Sequence, residues 1–175
     1  DIDPPTGSMR FPGTISLSAA TYEALLADIV ASLRQSGFTD IVLIGDSGGN
    51  QRGMASVADR LNAGWTGTGT RVHFVREYYA PGWEATERYT EQVLGVAETR
   101  WDGYHDDIWV TAMMMVVDPT LVRFDERVAA GRASINGVTL TPLAESVALG
   151  RRMIAFRAAL TADAIREAIA AGAGD

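Results

Sequence analysis

The chain contains no cysteine. It therefore has no disulfide, zinc–thiolate centre or thiol nucleophile, and its compartment stays open between cytosol and periplasm. Lysine is absent too, because all 15 basic residues are arginine. That excludes a Schiff-base lysine and the phosphate-binding lysine of a Walker-type loop. Histidine is confined to His73 and His105. A basic surplus is also missing: the net charge of -7 argues against a nucleic-acid partner, whose phosphates require a basic face. No apolar run approaches the roughly 20 residues of a membrane span. A soluble protein, cytoplasmic or periplasmic, is the expectation. No signal peptide is visible, and Asp1-Ile2-Asp3-Pro4-Pro5 lacks an initiator methionine, so a processed or truncated product is expected.

What is present describes an ordinary globular protein. A length of 175 residues, 47% hydrophobic and 21% charged, suits a single domain over residues 1–175 with a substantial core. The most informative stretch is Asp40 to Gln51, DIVLIGDSGGNQ. Ile41 to Ile44 form a β-prone apolar run, expected to be a strand buried on both faces. It ends in Gly45-Asp46-Ser47-Gly48-Gly49-Asn50. The glycines permit a tight turn and close approach of backbone N–H groups to a ligand. In open α/β sheets, ligands bind outside the carboxyl ends of strands. The competing reading is a turn that only connects strand to helix.

Around this segment the elements alternate. Gly13–Leu17 (GTISL) is a short strand candidate. Ser18 then caps a helix with Tyr22, Leu25, Leu26, Ile29, Val30 and Leu33 on one stripe, closed by Gly37. A second helix is expected over 51–63, with Met54, Val57, Ala58 and Leu61 inward, and a strand over 71–76. Residues 77–107 have the weakest pattern, a modest helical one at 86–98. Ile108–Val117 could be a buried helix or strand, its methionines favouring helix, and Asp118-Pro119 stops it. Asn136-Gly137 centres a hairpin over 134–140. Thr141-Pro142 opens a C-terminal helix, Thr capping and Pro at the first position, with Val147, Ile154, Ala158, Ile165 and Ile169 along one side. The order predicts an α/β fold, a three-layer α/β/α sandwich with a mainly parallel sheet.

Two chemistries follow from the residues themselves. Strand-then-Gly-Asp-Ser resembles the GDS-type (SGNH) esterases, with Ser47 as nucleophile and Asp102-Gly103-Tyr104-His105 supplying a D-x-x-H base. That family's D-x-x-H lies near the C-terminus, whereas 70 residues follow His105 here. Alternatively, His105, Asp106 and Asp107 cluster an imidazole with carboxylates, and Asp46 could join them around a divalent metal. Solvated loop acids are the plainer account of the same residues. Trp83, Trp101 and Trp109 could wall a pocket or belong to the core, the latter preferred for Trp109, and His73 reads as a strand residue with a satisfied ring.

Phe11-Pro12-Gly13-Thr14-Ile15-Ser16-Leu17, a helix, Gly37-Phe38 and a strand ending in GDSGGN together resemble the creatininase (creatinine amidohydrolase) family. In that family an FPGT-S-L segment and a helix precede a strand ending in an NGHGGN-type loop. His105 followed by Asp118-Pro119-Thr120-Leu121-Val122 is similar to the family's HAG…ETS…DP-LV segment. The resemblance spans residues 8–125. It implies a creatininase-like α/β/α fold, a homo-oligomer, and metal-dependent hydrolysis of an amide or other C–N bond in a small, possibly cyclic substrate.

The departures fall on the chemistry. Ser47 stands where the family has a metal-binding histidine, and the glutamate positions fall at Ile108 and Val110. The family's other ligands lie on an N-terminal E-x-H-G segment ahead of this chain, which a cleavage fragment could supply as a second chain. The leading expectation is a hydrolase with His105 and Ser47 as catalytic candidates. Gly48, Gly49 and Asn50 form the substrate loop, and Asp46, Asp106 and Asp107 are metal ligands for Zn, Mn or Fe. The alternatives are a non-catalytic creatininase-fold ligand-binding or subunit protein and, third, a Ser47 esterase.

Overall fold

The computed structural model describes residues 9, 11–100 and 107–172. These fall into two units: residues up to Pro81 together with those from Thr161 onward, and Gly82–Leu160.

In the first unit, α1 spans Ala19–Gln35. The Ser18 hydroxyl accepts from the Thr21 N–H at 3.2 Å, capping an otherwise orphaned donor. At the other end Gly37, at φ +93°, donates to the Arg34 carbonyl while Phe38 donates to that of Leu33. This paired arrangement closes the helix and needs the left-handed conformation that glycine adopts freely. Within this unit α1 covers only half of its apolar stripe. Val30 is fully buried, and the Tyr22 ring lies 2.7 Å from where a Cβ on Gly53 would stand. Leu25, Ile29 and Leu33, on the adjacent i, i+4 row, remain 49%, 47% and 37% exposed.

β1 (Asp40–Leu43) and β2 (Arg71–Phe74) pair in parallel, Ile41 opposite Val72, joined by α2 (Gly48–Gly64). This is a βαβ unit. Its core gathers Val30, Ile41, Ala58 and Val72, with Leu43, Leu61, Trp65 and Phe74 packed against them. Each fully buried aliphatic side chain there is worth roughly 1.5–3 kcal/mol. Met54, Val57 and Ala58 face inward as their spacing predicts.

The outer edge of β2 is closed by a side chain. Asn62 of α2 donates from Nδ2 to the Val72 carbonyl and accepts the Val72 N–H at Oδ1, both at 2.8 Å. One amide thus imitates a neighbouring strand. His73 is buried, its Nε2 2.9 Å from Asp40 Oδ1, so its ring is satisfied as expected.

Three expectations are corrected in this unit. Residues 13–17 form no strand and Ile15 is 91% exposed. A five-residue extended segment needs a ladder for its backbone groups, and this one has none among the described residues. The βαβ unit accordingly begins at β1. β1 is not buried on both faces: Ile41 is covered, Val42 and Leu43 partly so, and Ile44 is 43% exposed. β2 is shorter than the apolar pattern and ends at Phe74.

The second unit is mostly helical. α3 (Ala80–Gln92) starts ahead of the modest pattern seen in sequence, and Thr86 and Thr90 are buried with their hydroxyls donating to the carbonyls four residues back, each at 2.7 Å. α4 (Ile108–Val117) is a helix, in keeping with its methionines, and the Asp118 carboxylate caps the short 3-10 turn that follows. Beyond α5 (Phe124–Ala129), β3 (Ser134–Ile135) and β4 (Val138–Thr139) form the expected hairpin. Asn136 (φ +47°) and Gly137 (φ +90°) take the two left-handed turn positions. Ile108, Met115, Phe124, Ile135 and Leu140 make one core cluster. Trp109, Ala112 and Met153 make another, with Trp83 edge-on to Trp109 at 5.2 Å. Trp109 is thus a core residue.

α6 runs Leu143–Gly172. The Pro142 carbonyl accepts from Glu145 and Ser146, so Pro142 precedes the helix and Thr141 does not cap it. Its buried face is Ser146, Gly150 and Met153, whereas Ile154 and Ala158 are exposed. Glycine stands in the middle of that face because α4 comes close: a Cβ on Gly150 would overlap the Ala112 carbonyl oxygen. No helix among the described residues is long and apolar enough to cross a membrane.

Candidate functional site

The segment leaving the carboxyl end of β1 is a helix entry with few side chains in the way. Ser47 is the N-cap residue of α2, in extended conformation at φ -147° and ψ 137°, and its hydroxyl makes no capping bond. Gln51 reaches back from the first turn, donating from Nε2 to the carbonyls of Gly45 (2.8 Å) and Ser47 (2.9 Å). The Asn50 N–H donates to the Ser47 carbonyl at 3.1 Å. Gln51 therefore fixes the turn, a role that sequence reasoning missed. Its position six residues after Gly45 was the available signal.

Gly48 and Gly49 are the first helical residues and both are exposed. The first N–H groups of a helix have no partner within it and carry its positive dipole end. A Cβ on Gly48 would stand 3.2 Å from the Tyr79 hydroxyl, so glycine lets that phenol approach the helix start. Tyr79 follows β2, and nothing local in the sequence ties it to Gly48. Asp46 is exposed, whereas Ser47 and Asn50 are half-buried. The loop thus presents a carboxylate, a hydroxyl, and the N-terminal peptide groups of α2 at one strand end. That arrangement suits a polar or negatively charged ligand atom.

Of the remaining candidates, Asp107 is half-buried in the second unit and is the N-cap residue of α4, without a side-chain capping bond. The α4 N-terminus is served instead by Glu98, whose Oε1 accepts the Ile108 N–H at 2.7 Å and Asn136 Nδ2 at 3.0 Å. Burial and the neighbouring charges of Asp107, Glu91, Glu98 and Glu84 push the Glu87 carboxyl up from its ordinary value. His105, Asp106, Trp101, Asp102 and Tyr104 lie outside the described residues. Among the described residues, no three His, Cys, Asp or Glu side chains come together to hold a metal ion.

Fold and loop together define an α/β protein with a glycine-rich turn at the carboxyl end of a parallel strand. The chain belongs to the creatininase family, described as creatinine amidohydrolase, whose model matches residues 4–165. No curated protein and no solved structure matches it.

Proposed function

We propose that the chain is an amidohydrolase acting on an amide or other C–N bond of a small, possibly cyclic substrate, bound at Asp46–Asn50. The observation that carries this reading is the family match over residues 4–165, which contains the loop. The glycine-rich entry to α2 supports it. N–H groups of Gly48 and Gly49 would stabilise negative charge developing on the substrate carbonyl oxygen. Asp46 would orient the attacking water or accept its proton, His105 would shuttle a proton to the leaving nitrogen, and Asn50 would shape the loop. The family's fold would extend β1 and β2 into a mainly parallel sheet within a single three-layer α/β/α domain, assembled as a homo-oligomer.

The family also implies a divalent ion, Zn, Mn or Fe, with Asp46, Asp106 and Asp107 as candidate ligands. The described residues do not supply a donor set, and Ser47, a neutral hydroxyl in the histidine position, is a poor ligand. No step of the reaction is assigned to a metal. The same observation favours a second reading, a non-catalytic creatininase-fold protein that binds a small ligand or serves as a subunit. The Ser47 esterase ranks third.

Elemental analysis of the purified protein, combined with amide-hydrolysis assays with and without added Zn, Mn or Fe, tests the proposal. Hydrolysis is expected, and bound metal or stimulation by an added ion would bring a divalent ion into the reaction. No bound metal, together with no activity under any addition, would favour the binding role. Labelling of Ser47 by a fluorophosphonate would instead revive the esterase.

A further inference from the structure

A pocket of about 240 Å³ opens beside the start of α2, lined by Gln51, Arg52, Ala55, Phe74, Arg76, Tyr79, Ala80 and Pro81. Its position follows from the βαβ crossing. Gln51, Arg52 and Ala55 come from the first turns of α2, Phe74 ends β2, and Arg76 and Tyr79 follow it. It therefore lies at the carboxyl ends of the strands, and Tyr79 belongs both to its wall and to the neighbourhood of Gly48.

The charge of this pocket is at odds with that of the whole chain. The protein carries 22 acidic against 15 basic residues, yet two of the eight lining residues are arginine and none is acidic. Among the described residues, neither Arg52 nor Arg76 makes a side-chain hydrogen bond or ion pair, whereas Arg88, Arg123 and Arg166 each have a carboxylate. Two guanidiniums sharing a pocket with the apolar Phe74, Ala55 and Pro81 have the chemistry of a carboxylate cradle: bidentate donors and a surface for a short carbon skeleton.

We propose that this pocket is an anion subsite, and that the substrate of the neighbouring loop carries a carboxylate close to its scissile amide. The word substrate rests on the hydrolase reading above; the anion subsite itself does not. Arg52 and Arg76 are then specificity-determining residues.

NMR titration of the 15N-labelled chain with N-acetylglycine and with its uncharged counterpart N-acetylglycinamide tests this. N-acetylglycine should shift the amide signals of Gly48, Arg52 and Arg76 and bind about tenfold or more tightly than the amide, the worth of one charge-assisted hydrogen bond or more. Arg52→Gln with Arg76→Gln should abolish the preference, and the paired lysine variants should retain part of it. Both arginines are exposed, so thermal melts of these variants should match the parent. Equal binding of the two probes, or a preference that survives the glutamine pair, overturns the subsite. Hydrolysis of both probes at equal rates also overturns it while leaving the hydrolase intact. Arginine-dependent binding without hydrolysis of any amide supports the subsite and counts against the hydrolase.

Discussion

Gly150→Ala gives a sharp test of the close approach between α4 and α6. Considered as a helix position alone, the change should stabilise, since alanine is favoured over glycine by roughly 1 kcal/mol inside a helix. The surroundings reverse that sign. The new Cβ would overlap the backbone carbonyl oxygen of Ala112 and stand 2.8 Å from a Val116 methyl. A methyl group can rotate away, but a carbonyl held in a helix cannot, so the two helices must separate and loosen the packing around Met153. Overpacking of this kind costs about 1–3 kcal/mol, and a backbone clash belongs at the upper end. A net loss of about 1–2 kcal/mol remains after the propensity gain, equivalent to a Tm lower by roughly 2–8 °C in a chain of this size. Gly64→Ala is the control, because no atom lies within 4 Å of its Cβ position at the end of α2. Calorimetry or urea unfolding of the two variants checks the pair. A Gly150→Ala protein as stable as the parent would refute the argument that backbone contact selects glycine there.

Asn62→Ala should cost about 2 kcal/mol or more in urea unfolding, because it leaves both backbone groups of the buried Val72 without a partner. Removing the cap with Ser18→Ala should cost roughly 1 kcal/mol, read as a lower midpoint at unchanged slope. The raised Glu87 carboxyl favours the folded state fully below the ordinary carboxylate range, an advantage lost as pH rises through the folded-state value. Glu87→Gln should therefore raise Tm at neutral pH and lose that advantage in acid. Relief of helical like-charge pairs is worth about 0.2–0.5 kcal/mol each. Equal shifts at both pH values would show that charge is not the cause.

Local chemistry was the legible part of this fold. Ser18, Gly37, Asp118-Pro119 and Asn136-Gly137 each act through their own backbone or nearest neighbours, and each is found where its chemistry puts it. Periodicity was less reliable. It marked the aliphatic row of α6 but missed the contact face of Ser146, Gly150 and Met153, where closeness of approach matters more than hydrophobicity. GTISL has strand composition but no ladder among the described residues. The site divides in the same way. The strand-end loop could be read directly from GDSGGN, whereas Gln51, Tyr79, Arg52 and Arg76 gather only when β2 returns beside β1. No local pattern encodes that return.

The amide of Asn62 gives the small parallel sheet a direction of growth. A bare strand edge recruits any extended segment in reach, including that of another molecule. With Val72 already bonded to a side chain, β2 has little to offer such a segment, and β1 is the side on which the array can lengthen. Strands joining there would extend the row of carboxyl ends away from the arginine pocket and past Asp46, so a wider sheet would enlarge the floor on the loop's far side. One side-chain amide thus sets the direction in which this small sheet can expand.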